Sequence, residues 1–361
     1  MCRLLSLVLI FFNFSFSQQH SRPKNIVIMI GDGMGLTEVS ASVLSMENSP
    51  YKKFSNVGLS VTCSLDKLIT DSGAGGTAIA TGYRTNYHFI AVDTLNRPLT
   101  TILEHAKKLK KYTGVVVTSS VTNATPATFL AHIIDRSLDN EIAEQLTNQD
   151  VDVVIGGGTQ YFLPKEFGGI RTDTLNLLNK ILSKGYKLYT NPDSLLNSET
   201  GTRFYGLFGS ECFPPASQRK YTLAQMVKKA IKELSKNKNG FVLMVEGSQI
   251  DWTSHDNNAV EFFPEMVDFN DAINTTLEFA DKDKNTLVVV TADHETGGMA
   301  IIKGDRDGKN LKFAYTTKGH TPAMVGVFAN GKGANLFNGV FDNYMTGRKL
   351  FNLLDPKYKF K

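Results

Sequence analysis

A chain of 361 residues with 42% hydrophobic and 20% charged side chains has the composition of a globular protein with material for a large core. That composition excludes disordered and fibrous classes, and three cysteines are too few for a disulfide framework. With a formal charge of +4 and KKLKK at 107–111 as the densest basic stretch, no nucleic-acid-binding surface is expected.

Residues 1–17 read as a secretory signal peptide: Arg3, the apolar stretch LLSLVLIFF, then small residues, with cleavage expected after Ser17. A single domain then fills 18–361, exported to a periplasmic or extracellular compartment. No later apolar run reaches the length of a bilayer span, so no membrane anchor is expected. Removing the leader leaves Cys63 and Cys212, whose pairing the sequence leaves open.

Along the chain, NIVIMIG at 25–31 is a strand, and TDSGAGGTAIATG at 70–82 is a turn of very small residues opening a helix. A helix at 98–111, a strand TGVVVTS at 113–119, a helix at 138–148 and a strand VDVVIGG at 151–157 follow. The turn-rich segment 159–215 is a candidate insertion. Beyond it come a helix at 221–236, a strand GFVLMVEG at 240–247, a helix at 259–281 and a strand NTLVVVTAD at 285–293. Residues 299–315 form a hairpin around GDRDGKN. Short, continuous β-branched runs alternating with helices predict an α/β fold: a doubly wound, largely parallel central sheet with helices on both faces.

Ligands of such sheets bind beyond the carboxyl ends of the strands. There the sequence places Asp32 in IGDGMG, Glu246 and Asp251 in VEGSQID, and Asp293 and His294 in TADHE. His255 follows Asp251 by one helical turn, and His320 sits in KGHTPA. Singly, each aspartate reads as a cap and each histidine as a hydrogen-bonded structural residue. Together on one edge the acids would repel unless cations neutralised them. Carboxylates with imidazoles suit zinc, and an all-oxygen set suits magnesium. Two other motifs fail. IVIMIGDGMGL has Leu36 where a dinucleotide fingerprint needs its third glycine, and TDSGAG has Thr70 where a GxSxG elbow needs its first.

Taken in order, IGDGMG, TDSGAGGTAIATG, NATPATFLAH, VEGSQIDWTSH, TADHETGG and GHT resemble the secreted alkaline phosphatases, in their compact bacterial form. The resemblance runs from Asn25 to Ala329. It implies hydrolysis of small-molecule phosphate monoesters through a phosphoserine on Ser72, and a homodimer. It further implies two zinc ions per chain, one on Asp251, His255 and His320 and one on Asp32, Asp293 and His294. One magnesium would share Asp32 and take Thr125 and Glu246. Arg136 would bind the phosphate. An alkaline optimum and broad substrate range belong to the same expectation.

Two positions depart from the family. Asn123 stands where Asp or His is usual, which weakens the magnesium site, and Trp252 replaces a lysine that reaches phosphate through water. The remaining alternatives are a phosphodiesterase or sulfatase on the same scaffold, or a non-catalytic exported metal- or phosphate-binding protein. The sulfatase C/S-x-P-x-R context is absent, and an intact Ser72 argues against pure binding.

Overall fold

The computed structural model describes residues 22–360 except 48, 200 and 202, so the expected signal peptide lies outside the described residues. The strands are β1 Asn25–Gly31, β2 Asn56–Val61, β3 Tyr112–Ser120, β4 Val153–Gly157, β5 Lys187–Tyr189, β6 Phe204–Leu207 and β7 Phe241–Gly247. Then come β8 Thr286–Thr291, β9 Glu295–Thr296, β10 Met299–Lys303, β11 Lys312–Tyr315, β12 His320–Thr321, β13 Val325–Asn330 and β14 Gly339–Asp342. The helices are α1 Leu36–Ser45, α2 Ser72–Thr81, α3 Ile102–Lys108, α4 Ala124–Leu130, α5 Asp139–Asn148 and α6 Leu177–Ser183. They continue with α7 Pro192–Asn197, α8 Leu223–Leu234, α9 Gln249–His255, α10 Ala259–Asp283 and α11 Asn343–Leu354.

One sheet holds ten strands in the order β14-β2-β13-β8-β1-β7-β3-β4-β6-β5. Every neighbouring pair is parallel except those of β13, which runs against β8 and β2. β1 is buried along its whole length because both of its faces are covered. Ile26, Ile28 and Ile30 pack on one face with α3, α5 and α11. Val27 and Met29 pack on the other with α8 and α10. The doubly wound α/β arrangement is the one the apolar runs predict.

The five predicted strands and four predicted helices all form, with ends shifted by a few residues, the strand at 113–119 and the helix at 259–281 running slightly longer than predicted. At 299–315 the expected hairpin is present as β10 and β11, with Met299 opposite Tyr315. Segment 159–215 supplies β6 and β5, which extend the sheet beyond β4. Its Arg171 is buried and donates to the carbonyls of Asn140 (2.7 Å) and Tyr161 (3.0 Å), tying the segment to α5. Cys63 and Cys212 are both unpaired. Among the described residues no helix is long and apolar enough to cross a membrane.

Candidate active site

Strand register brings the polar residues to one edge. Ile30 of β1 lies opposite both Glu246 of β7 and Thr291 of β8, so Asp32, Glu246 and Asp293 emerge side by side. α9 carries Asp251 and His255 four residues apart. The short antiparallel pair β9–β12 sets His320 opposite Thr296 and so returns a distant loop to the Asp293–His294 corner. Ser72 is the first residue of α2 rather than its cap. Asp71 holds the cap position and accepts from the Ala74 amide at 3.1 Å.

These residues converge. Ser72 Oγ lies 3.2 Å from His294 Nε2, which is 3.2 Å from Asp293 Oδ2 and 3.5 Å from Asp32 Oδ1. Asp251 Oδ2 is 3.3 Å from His255 Nε2 and its Oδ1 is 3.7 Å from His320 Nε2. The two Nε2 atoms of His255 and His320 face each other at 3.2 Å, and the His294 and His320 rings stack at 3.5 Å. Thr125 Oγ1 is 3.5 Å from Asp32 Oδ2, and the Ser119 hydroxyl reaches Glu246 Oε2 at 3.4 Å. Arg136 Nη1 donates to Asp71 Oδ2 at 3.0 Å. Asn123 is the half-buried N-cap of α4 and makes no side-chain cap bond. Trp252 lies half-buried on α9 beside Asp251.

Hydrogen-bond roles around the imidazoles decide what the cluster lacks. His320 Nδ1 bonds the Thr70 carbonyl at 2.9 Å, and His255 Nδ1 bonds the Lys318 carbonyl. The Thr296 hydroxyl donates to Asp251 Oδ1 at 2.5 Å, so its oxygen accepts from His294 Nδ1 at 3.2 Å. Carbonyls only accept, so each ring carries a proton on Nδ1, and in its neutral form each aims the Nε2 lone pair inward, toward the carboxylates. Asp32 Oδ1, Glu246 Oε1 and Asp293 Oδ2 are buried without any partner. A dense set of acceptors without donors calls for cations, and carboxylate plus imidazole is a divalent-metal donor set.

Charge tells the same story. Burial, then Asp293, Asp251 and Glu246, push the Asp32 carboxyl well above the usual range. Burial raises Glu246 to about 7. Burial would raise Asp251 too, but its imidazole neighbours outweigh that and hold it at about 2. The Asp251 contact draws His255 up to about 9, while burial pushes His320 down to about 4. Asp251 and His255 thus balance each other as an ion pair, whereas Asp32 and Glu246, raised together, are carboxyls whose charge no neighbouring cation offsets.

Four contributors were not singled out in the sequence. Asp71 anchors Arg136, Thr296 orients two ligand-type side chains, and Ser119 with Ser248 supports Glu246. Of these only Asp71 carries a sequence signal, an acid directly before a helix-opening serine.

A doubly wound sheet whose carboxyl edge gathers a buried serine and two groups of metal-ligating side chains defines a metal-dependent α/β class; the groups are Asp251–His294–His320 and Asp32–Asp293–His294. The chain belongs to the alkaline phosphatase family, whose model matches residues 23–310. Alkaline phosphatase 3 of Bacillus subtilis is 38% identical over 296 residues, covering 77% of this chain and 62% of the relative. Alkaline phosphatase of Escherichia coli is 33% identical over 354 residues, covering 82% and 74%. The crystal structure of the alkaline phosphatase from the Antarctic bacterium TAB5 superposes with a TM-score of 0.87 at 35% identity, covering 95% of this chain and 100% of that one. A variant of that enzyme was solved with magnesium bound. The chain spans 62% of the length of that Bacillus relative and 64% of alkaline phosphatase 4 from the same organism, to which it is 37% identical over 303 residues.

Proposed function

We propose that this protein hydrolyses small-molecule phosphate monoesters through a phosphoserine on Ser72. The observation that carries the reading is a buried hydroxyl 3.2 Å from an inward-facing imidazole lone pair, amid carboxylate oxygens that have no internal partner. Asp251, His255 and His320 would hold one zinc ion, and Asp32, Asp293 and His294 a second. Asp32, Thr125 and Glu246, an all-oxygen set, would hold magnesium. Bound there, divalent ions supply the positive charge that favours the serine alkoxide and the transition-state oxyanions.

The chain's own residues do the rest. α2 fixes Ser72 at a helix start, where the backbone N–H groups of the first turn point toward an anion. Ser72 Oγ attacks phosphorus in line, the bond from phosphorus to the ester oxygen breaks, and the departing alcohol leaves protonated. Water then attacks the same phosphorus, the phosphoserine bond breaks, and inorganic phosphate and the free hydroxyl are restored. Arg136 presents a planar fork to the non-bridging oxygens while Asp71 holds its Nη1. Trp252 brings no charge to the product, so phosphate leaves easily. Export under the 1–17 leader, a homodimer and an alkaline optimum complete the proposal.

The test is metal analysis of purified residues 18–361 beside turnover of a p-nitrophenyl monoester and the corresponding diester, with and without chelator. Monoester turnover that chelation abolishes and zinc with magnesium restores is expected. Preferential diester turnover, or metal binding with no turnover, overturns the reading. Ser72→Ala should lower turnover by roughly a thousandfold or more while metal content stays unchanged.

A further inference from the structure

Among the described non-glycine residues with positive φ, His88 (72°) and Ala91 (43°) lie in the stretch that packs against the start of α2. Such backbone is costly for a side chain and persists only where surrounding contacts over-determine it. At His88 those contacts are specific. Its amide donates to Asp71 Oδ1 at 3.1 Å, and its carbonyl accepts from the Arg136 amide at 3.1 Å. The Arg136 guanidinium returns to Asp71 Oδ2 at 3.0 Å. Three bonds thus close a ring through Asp71, His88 and Arg136. The arginine is referenced to the cap of the nucleophile helix twice, through its fork and through its own backbone.

We propose that His88 is a positioning residue for Arg136, acting through its left-handed peptide rather than through its imidazole. The inference rests on the assignment of Arg136 to phosphate binding. The imidazole is exposed and stacks on Tyr87, with centroids 4.6 Å apart and planes 22° apart, and it makes no hydrogen bond among the described residues. The peptide, by contrast, must turn its N–H toward Asp71 and its C=O toward Arg136 within one residue, which positive φ achieves. The surrounding segment is pinned independently. The Tyr87 amide bonds Asp66 Oδ1 at 2.8 Å, and Ile90 and Ile133 exchange backbone bonds at 2.8 and 3.0 Å. A change confined to the His88 peptide therefore reaches Arg136 without releasing the loop. His88 also lies close behind the nucleophile's neighbour: a Cβ added to Gly73 would come within 3.3 Å of its carbonyl carbon.

Glycine adopts this backbone freely, whereas a β-branched side chain is the most strongly opposed to it. The experiment compares His88→Gly, His88→Val, Arg136→Ala and the His88→Val/Arg136→Ala double variant, all as metal-replete enzyme. KM, kcat, inhibition by inorganic phosphate and the melting temperature are read for each. His88→Gly should keep KM and phosphate inhibition within about twofold of the unaltered enzyme. His88→Val should raise both KM and the phosphate inhibition constant by roughly fivefold or more while lowering the melting temperature by only a few degrees. In the Arg136→Ala background the valine should then have no further effect, the coupling expected when two changes act on one group. Three results overturn the proposal: normal phosphate inhibition in His88→Val, a valine effect that persists without Arg136, or equal damage from glycine and valine. Absence of monoester turnover in the unaltered enzyme would instead sink the underlying function, so the two failures are separable.

Discussion

Asn123 is two residues ahead of Thr125, and its amide is neutral where a carboxylate would add charge to the Asp32–Thr125–Glu246 set. Second-sphere partners of this kind are worth roughly 10–100-fold in metal affinity. Asn123→Asp should therefore lower the magnesium concentration giving half-maximal activity by about tenfold in chelator-stripped enzyme. An unmoved titration midpoint would remove Asn123 from the site. Glu38 presents a separate residue-scale tension. It is fully buried with no side-chain partner, and burial, then Glu295, push its carboxyl well above the ordinary range against weaker pulls from the Glu38 and Gly35 backbone. A carboxyl whose folded value is raised costs stability above its unfolded value of about 4.3, most fully once the pH exceeds the folded value, and costs nothing below both. Glu38→Gln should accordingly stabilise the protein by ~1 kcal/mol or more at pH 8. That gain should shrink as the pH falls toward 4, a trend that urea melts at several pH values read directly. Residues with a charge and a motif were legible in the sequence. Thr296 and Ser119 were not, since a hydroxyl that orients a neighbour looks in sequence like any other hydroxyl.

α2 shows why the stretch behind Ser72 is built of such small residues. A Cβ on Gly75 would sit 2.8 Å from the Asp293 carbonyl oxygen, and one on Gly76 would sit 2.8 Å from Thr128 Oγ1. The helix is therefore pressed against the corner that carries Asp293 and against α4, and glycine is the residue that permits it. Two effects oppose each other in Gly75→Ala. Alanine gains up to ~1 kcal/mol in helix propensity, but overpacking against backbone costs ~1–3 kcal/mol. Asp293 lies two residues past the end of β8 and is buried, so the clash should win. Gly75→Ala should lower stability by ~1 kcal/mol and, by moving Ser72 off its 3.2 Å contact with His294, lower turnover by about tenfold or more. Stability gained together with full turnover would show that α2 has room to spare. Elements followed the same rule of legibility. β1, β3, β4, β7 and β8 are buried runs with a strong apolar signal. β14 is an edge strand and β2 its half-exposed neighbour, in which Val340 and Val57 face solvent at 65% and 45%, and their patterns were too weak to read.

Across the whole molecule, the proposed ligands come from residues 32 to 320, joining β1, β7, α4, α9, the β8–β9 corner and β12 around one point. In such an arrangement the acids and imidazoles are a liability until cations arrive: the unpartnered Asp32, Glu246 and Asp293 oxygens are buried beside one another and their mutual repulsion opposes the fold. Ions that bind only the folded chain stabilise it by mass action, by ~4 kcal/mol for each site held at a thousand times its dissociation constant. Sites filled in this way should make stripped protein melt several degrees below the replete form, since roughly 1 kcal/mol moves the midpoint of a large domain by a few degrees or less. The melting temperature should climb with added zinc and, in Asp251→Asn/His320→Gln, respond much less to the same additions. Leu234, the last residue of α8, is buried against Gly114 near the amino end of β3, the opposite end of the sheet from the ligands, so a core substitution such as Leu234→Ala should lower both melting curves equally and leave their separation intact. Identical melting of stripped and replete enzyme would mean that the acidic corner is balanced by protons alone. In that case Asp32 and Glu246, both raised by burial, would be the groups that carry them.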